Sequence, residues 1–328
     1  MSKIMKILVT GGAGFIGSNF IHYILKKYPN YQVVNLDKLT YAGNLDNLKT
    51  IENDSRYKFV QGDICDRNLV FELVKDCDMV VNFAAESHVD RSIQDSSAFV
   101  KTNIEGVQVL LEAVRLKGGK RFHQISTDEV FGALGINDPS SSEESPYKPR
   151  NPYSASKAAA DHLVMAYYNT YSLPVTISYS SNNYGPYQYP EKLISLCITN
   201  LLENKKAPLY GKGLAIRNWI YVEDHCEAID LIIHKGQIGE RYNVGDNNEE
   251  TNLELIKKIL VLFKKSEEMI EYVPDRPGHD MRYSLDNTKI EKELNWYPKI
   301  NFEEGIKKTI NWYIDNQDWW GKLKNKKI

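Results

Sequence analysis

The chain has 328 residues, 42% of them apolar, and a formal net charge of −2. That length and apolar share suit a large α/β unit, alone or with a smaller partner, and exclude wholesale disorder. Near-neutral charge with both signs interspersed excludes nucleic acid as the main partner, which needs a basic surface. The first elements follow at once. Met5–Val9 is a short apolar run that ends in a glycine-rich turn. From Phe15 to Tyr28 the apolar residues recur at helical spacing, and Tyr31–Leu36 reads as a second strand. Tyr57–Gln61, Met79–Phe83, Arg121–Ser126 and Val175–Tyr179 read as four more strands. Helices are predicted between them near Leu69–Lys75, Ser97–Lys117 and Tyr153–Ser172. Strands alternating with helices imply right-handed crossovers and a Rossmann-type, doubly wound parallel sheet with both faces covered.

After Tyr179 the rhythm changes. Asn182–Pro190 reads as a loop, followed by a helix near Lys192–Glu203, a strand near Asn218–Tyr221 and a helix near Glu223–Lys235. Further helices are predicted near Asn252–Phe263 and Phe302–Asn316, and the basic tail Lys322–Ile328 as a frayed end. The expected division is a dinucleotide-binding domain over 1–180, rejoined by 216–245, and a smaller mixed α/β substrate domain over 181–328. Cys65, Cys77, Cys197 and Cys226 show no metal-ligand or disulfide-framework spacing, which predicts no metal site and a reducing, cytoplasmic setting. The start of the chain has no signal-peptide pattern, and no apolar run approaches the ~18–20 residues of a spanning helix, so no membrane partner is expected.

Two motifs carry chemistry. Gly11, Gly12, Gly14 and Gly17 lie between the first strand and its helix, where glycine permits a tight turn and close approach to a pyrophosphate. The helix start supplies N–H groups and partial positive charge for that anion. Asp37 ends the second strand, 20 residues after Gly17, placed to accept bonds from the adenosine ribose. A carboxylate there repels a 2′-phosphate, so NAD is expected over NADP, although the adjacent Lys38 pulls the other way. The second motif is Tyr153 and Lys157, four residues apart on one face of a helix that Asn151 caps and Pro152 opens. A free phenol has a pKa of about 10, and a nearby ammonium plus a positively charged nicotinamide ring favour its phenolate.

With these two motifs in place the chain resembles the extended short-chain dehydrogenases that act on nucleotide sugars. The stretches that carry the likeness are TGGAGFIGSNF, LDKLTYAGNLDNL, AAESHVDRSI, STDEVFG, NPYSASK, SNNYGPYQYPEKLI, GKGLAIRNWIYVEDH and PDRPGHDMRY, spanning residues 10 to 283. Thr127, Asp128 and Glu129 match the pattern of the hexose 4,6-dehydratases in that family. The resemblance implies that Thr127 orients the sugar 4-hydroxyl beside Tyr153. Oxidation at C4 makes a ketone and acidifies the C5 proton, which Glu129 can remove. The C6 hydroxide leaves with a proton from Asp128, and the hydride returns at C6, so NAD is regenerated. General acid–base help of this kind contributes about 10²–10⁴-fold per group.

The resemblance also implies the rest of the site. Phe15, Ile16, Thr40, Asp63, Ile64, Ala84, Ala85, Ser87, Thr102 and Asn183 are expected at the cofactor, with Tyr153 and Lys157. Ser87 and His88 are expected at the sugar. Asn182, Lys192, Leu193, Arg217, Asn252, Arg276 and His279 are expected at the nucleotide diphosphate, and Pro208, Leu209 and Tyr210 at the base. Asn252 also adjoins a helix capping box, Thr251 to Glu254. The base itself, thymidine on a diphosphoglucose, and a homodimer built on two long helices come from overall resemblance alone. One departure is Phe131, where the family carries Tyr; a packing role is expected. The rival readings are another nucleotide-sugar dehydratase, a 4-epimerase or a decarboxylase, whose patterns lack Asp128, and a non-catalytic NAD-binding regulator, which would not need Tyr153 and Lys157.

Overall fold

Apolar alternation in the first strand sets the layers. In the computed structural model, which describes residues 4–275 and 278–325, β1 (Met5–Thr10) sends Leu8 to one face of a sheet and Ile7 and Val9 to the other. The strands β2 (Tyr31–Asp37), β3 (Tyr57–Gln61), β4 (Met79–Asn82), β5 (Arg121–Thr127) and β6 (Val175–Ser180) follow in chain order. With β7 (Asn182–Tyr184), β8 (Ala207–Tyr210), β9 (Ile216–Tyr221) and β10 (Arg241–Val244) given, the large sheet runs β3-β2-β1-β4-β5-β6-β10, parallel throughout. Chain order reverses between β1 and β4, which opens a crevice at their carboxyl ends.

Helices cover both faces. Residues of the Arg67–Lys75, Val107–Leu116 and Pro152–Tyr171 helices pack with Leu8 and Val34 on one side. On the other, Phe20, Ile21 and Ile24 of the Phe15–Lys27 helix meet Cys226, Ile229 and Ile233 of the Val222–Lys235 helix. Each such buried side chain contributes ~1.5–3 kcal/mol. The segment 222–244 thus packs with the large sheet, while β9, just before it, belongs to a small sheet of order β11-β9-β7, with β11 at Glu249–Thr251. Strand β12 (Ile270–Val273) pairs with β8. A second core joins these strands to helices Leu193–Leu202, Asn252–Leu262 and Phe302–Asp315.

Three local readings change. The stretch expected as the loop 182–190 contains β7, whose three residues pair with Trp219, Ile220 and Tyr221. The helix expected over 97–117 widens into a π-helical turn at Val100–Gly106, where Asn103 hydrogen-bonds both backbone ends of Glu86. Lys322 to Lys324 are helical rather than frayed. They close the Gln317–Lys324 helix, and Lys324 Nζ bonds Asn200 and Glu203 at 2.8 and 2.7 Å. Residues 326–328 lie outside the described residues. Among the described residues no helix is long and apolar enough to cross a membrane, and the four cysteines are free.

Candidate active site

A cavity of about 810 Å³ runs along the carboxyl ends of β1, β2, β4 and β5 and into the small lobe. Its floor is the turn after β1, lined by Gly11, Gly14, Phe15, Ile16 and Gly17. Gly11 has φ +69°, and a Cβ there would lie 2.6 Å from the backbone nitrogen of Ala84. A Cβ on Gly17 would lie 2.4 Å from the Gly11 carbonyl oxygen. Only glycine lets the helix start come this close to the strand ends. The helix carries no side-chain cap and no acid in its first turn, which suits it to a phosphate.

Asp37 is 8% exposed and accepts from Ala13 N–H at 2.9 Å and Leu39 N–H at 2.8 Å, one bond per oxygen. A carboxylate has about four acceptor positions, so capacity remains for ribose hydroxyls. Burial raises its pKa and those two N–H groups oppose the rise. Lys38 and Thr40 line the cavity beside it. Asp63 does not line the cavity; it forms a salt bridge with Lys38 at 2.8 Å on the rim. Lys38 is therefore already paired with a carboxylate, which weakens its claim as a receptor for a 2′-phosphate. Ile64, Ala84, Ala85, Ser87, Thr102 and Asn183 complete this wall. The glycine cradle, the uncapped helix start and the strand-end carboxylate all fit NAD.

The reactive groups meet where β5 ends. Asn151 caps the Pro152–Tyr171 helix by a reciprocal capping box with Ser154, and its Nδ2 also donates to Glu129 Oε2 at 3.1 Å. The helix thereby places Tyr153 and Lys157 in the same cavity as Thr127, Asp128 and Glu129. Lys157 Nζ donates to the Ile125 carbonyl at 2.6 Å, fixing helix to strand. Asp161, one turn further and fully buried, accepts from the Ser126 hydroxyl. Burial pulls Lys157 down to about 8, and the Asp161 carboxylate opposes that. Asp128 is pushed up to about 7, first by burial and then by the charge of Glu129. Its Oδ2 is buried and meets no hydrogen-bond partner among the described residues. Burial likewise raises the Tyr153 phenol, with Glu129 adding to the rise and the Thr127 hydroxyl opposing it.

The small lobe supplies the opposite wall: Asn182, Lys192, Leu193, Pro208, Tyr210, Arg217, Asn252 and His279 line it, and His88, after β4, faces the cavity from the large lobe. Arg217 is 5% exposed, stacks 4.6 Å from the centre of the Tyr283 ring and donates to the Ile216 and Asp280 carbonyls. Thr251 and Glu254 do form the capping box, which leaves the Asn252 amide to the cavity; its Oδ1 and that of Asn182 are buried without a hydrogen-bond partner among the described residues. Leu209 is a correction. It is 1% exposed in the small-lobe core, because alternation along β8 turns Pro208 and Tyr210 to the cavity and Leu209 away. Arg276 lies outside the described residues. Of the loop tyrosines, Tyr189 lines the cavity, whereas Tyr184 and Tyr187 pack with Phe302 and Trp312.

Two features escaped sequence reasoning. Glu191 lines the cavity and accepts from Tyr41 at 3.0 Å, with His88 at 3.6 Å. Its signal was weak: one acid beside Lys192 in a polar loop. Asp161 stood in plain sight four residues after Lys157, the spacing of a helical ion pair.

The doubly wound sheet, the glycine cradle and the Tyr–Lys pair beside Thr127 together define a dinucleotide-dependent enzyme of the extended short-chain dehydrogenase class. Comparison with known proteins narrows this. The chain belongs to the GDP-mannose 4,6 dehydratase family, whose model matches residues 8–309. The dTDP-glucose 4,6-dehydratase of Haemophilus influenzae is 49% identical over 335 residues, covering 95% of this chain and 99% of its own. The crystal structure of dTDP-glucose 4,6-dehydratase from Bacillus anthracis in complex with NAD matches with a TM-score of 0.92 at 50% identity, covering 97% of this chain and 99% of that one. The dTDP-glucose 4,6-dehydratase of Streptomyces venezuelae, with NAD and dTDP bound, matches with a TM-score of 0.94 at 46% identity, covering 97% and 100%.

Proposed function

We propose that this protein is a dTDP-glucose 4,6-dehydratase that forms dTDP-4-keto-6-deoxyglucose and uses NAD as a recycled cofactor. The observation that carries the reading is the acid pair. Asp128 and Glu129 sit side by side at the end of β5, in one cavity with Tyr153, and burial raises Asp128 so that it holds a proton near neutral pH. Burial is the first cause of that rise and the charge of the adjacent Glu129 the second. A protonated Asp128 is the state an elimination needs, and a 4-epimerase has no use for it.

Bound NAD supplies the acceptor for the C4 hydride, returns that hydride at C6, and brings a positive ring that favours the Tyr153 phenolate. Tyr153 takes the 4-hydroxyl proton, with Thr127 orienting that hydroxyl. Lys157 holds positive charge one turn along the helix. Glu129, held in place by Asn151, removes the C5 proton and returns it to C5 as hydride arrives at C6, and Asp128 protonates the departing C6 hydroxyl. Arg217, held in plane by its two carbonyl partners, is suited to bidentate, charge-assisted bonds with pyrophosphate. Pro208 and Tyr210 are suited to a flat base.

The test is incubation of the purified protein with dTDP-glucose and NAD, following sugar mass and net NADH. Loss of one water per sugar without net NADH supports the reading. Unchanged mass with dTDP-glucose but water loss with a UDP- or GDP-hexose would move the substrate assignment. Accumulated NADH with water retained would refute the roles of the acid pair. We also propose a cytoplasmic homodimer, formed through the helices spanning 97–116 and 152–171. Val100, Leu116 and Tyr171 are exposed on them, which supports that face.

A further inference from the structure

The floor of the cofactor cleft is gripped from behind by a side chain of the small lobe. The peptide joining Ala13 to Gly14 has both ends engaged. Gly14 N–H donates to the Gly11 carbonyl at 3.2 Å, and the Ala13 carbonyl accepts from Asn44 N–H at 2.9 Å and from Asn47 Nδ2 at 2.9 Å. This peptide lies just ahead of Phe15 and Ile16, which open the helix at the anion seat. Asn47 is 2% exposed, and Trp319 Nε1 donates to its Oδ1 at 2.9 Å from a position 272 residues later. With Oδ1 taken by the indole, Nδ2 must face Ala13. Trp319 itself is wedged between Tyr187 and Trp312, with ring centres 6.1 and 5.0 Å away. Its helix is tied by Lys324 to Asn200 and Glu203, at the far end of the helix that starts with Leu193 in the small-lobe wall of the cavity.

We propose that Trp319 and Asn47 form a latch that holds the pyrophosphate loop closed, so that the Gln317–Lys324 helix of the small lobe sets how slowly NAD leaves. Both are positioning residues, because neither lines the cleft. The proposal rests on the NAD reading of that cleft. The latch answers a need of the chemistry: a redox-neutral cycle is completed only if one cofactor molecule stays through both oxidation and reduction.

The experiment compares NAD release from the wild type, Trp319→Phe and Trp320→Phe. Each protein is loaded with radiolabelled NAD and chased with unlabelled NAD, and thermal melting is recorded in parallel. Phenylalanine keeps a packing ring and deletes one N–H. Trp320→Phe is the matched control, since Trp320 Nε1 donates to the Tyr313 carbonyl at 2.8 Å on the same helix, with no bond to Asn47. Trp319→Phe should release NAD about five- to tenfold faster, the effect of one buried hydrogen bond at ~1–1.4 kcal/mol. Its kcat at saturating NAD should stay within about twofold, and Trp320→Phe should release NAD at the wild-type rate. Asn47→Asp keeps the acceptor for Trp319 but turns a carboxylate toward the Ala13 carbonyl, so it should release NAD at least as fast. The double variant should be no faster than Asn47→Asp alone, because both changes break one relay. Wild-type release from Asn47→Asp or Trp319→Phe overturns the latch, as does equal acceleration in Trp320→Phe. A wild type that binds no NAD overturns the cofactor reading and the latch with it, an outcome distinct from all the others.

Discussion

Asp128 shows how position gives an ordinary acid the protonation suited to the general-acid role proposed for it. In water a carboxyl titrates near 4 and is useless as a proton donor at neutral pH. At 4% exposure beside Glu129 it is held near 7. The group is protonated below that value, so the proposed acid function should be present below about pH 7 and lost as pH rises through it. Asp128→Asn is expected to slow elimination by about 10²–10⁴-fold while C4 oxidation falls far less, as measured in single-turnover experiments that separate NADH formation from water loss. Equal loss of both steps would overturn the role. Asp161 allows a second prediction at this scale. Its carboxylate is the charge that raises Lys157 against burial. Asp161→Asn should therefore lower the Lys157 pKa, and the alkaline limb of the oxidation step should move to lower pH. A purely structural role would reduce the rate without moving that limb.

Helices and turns place these groups. The Pro152–Tyr171 helix begins where it does because Asn151 caps it, and the same amide reaches Glu129. Helix start and the carboxylate proposed as base are thus set by one residue. The turn after β1 is set by clearance instead. Gly17→Ala would push a Cβ to 2.4 Å from the Gly11 carbonyl, so the loop must move. Since the clash is with backbone of the turn itself, NAD affinity should fall by an order of magnitude or more and the variant should melt below the wild type. Equilibrium NAD binding and thermal melting of the variant would check both parts. The π-helical turn at Val100–Gly106 belongs to this scale too. It brings Asn103 to the Glu86 backbone, which fixes the chain leading to Ser87 at the cavity.

At the scale of the whole molecule, two lobes share one cleft. The large sheet brings the glycine turn, Asp37 and the Tyr153–Lys157 pair, and the small lobe brings the wall that carries Arg217, Pro208 and Tyr210. The chain crosses between them more than once, so that 222–244 packs with the large sheet after β9 has served the small one. The proposed homodimer makes its own prediction. Val100 is 52% exposed, and a charge buried there costs several kcal/mol, so Val100→Glu should give a monomer by light scattering where the wild type gives a dimer. A wild-type monomer would refute the assembly.

The sequence alone determined the parallel α/β fold, because apolar runs alternating with amphipathic helices leave few other ways to bury both sheet faces. It also revealed the glycine turn, Asp37 and the Tyr153–Lys157 pair, since their chemistry depends on local spacing along one strand, turn or helix. Thr127, Asp128 and Glu129 were readable as a run, but nothing local shows that Asp128 is buried and pushed up near 7. That depends on residues brought around it by the fold. Leu209 failed for the converse reason: in a strand too short to show its period, only packing decides which side chains face the cavity. Glu191 and the Trp319–Asn47 contact were settled by tertiary structure alone, and Asp161, although at helical ion-pair spacing from Lys157, showed its burial and its Ser126 partner only in the fold. Each works through a partner, and for Glu191 and Trp319 that partner is 150 and 272 residues away in the chain. A hydrogen bond across such a distance leaves no periodicity and no spacing to read, because only the folded chain brings its two ends together.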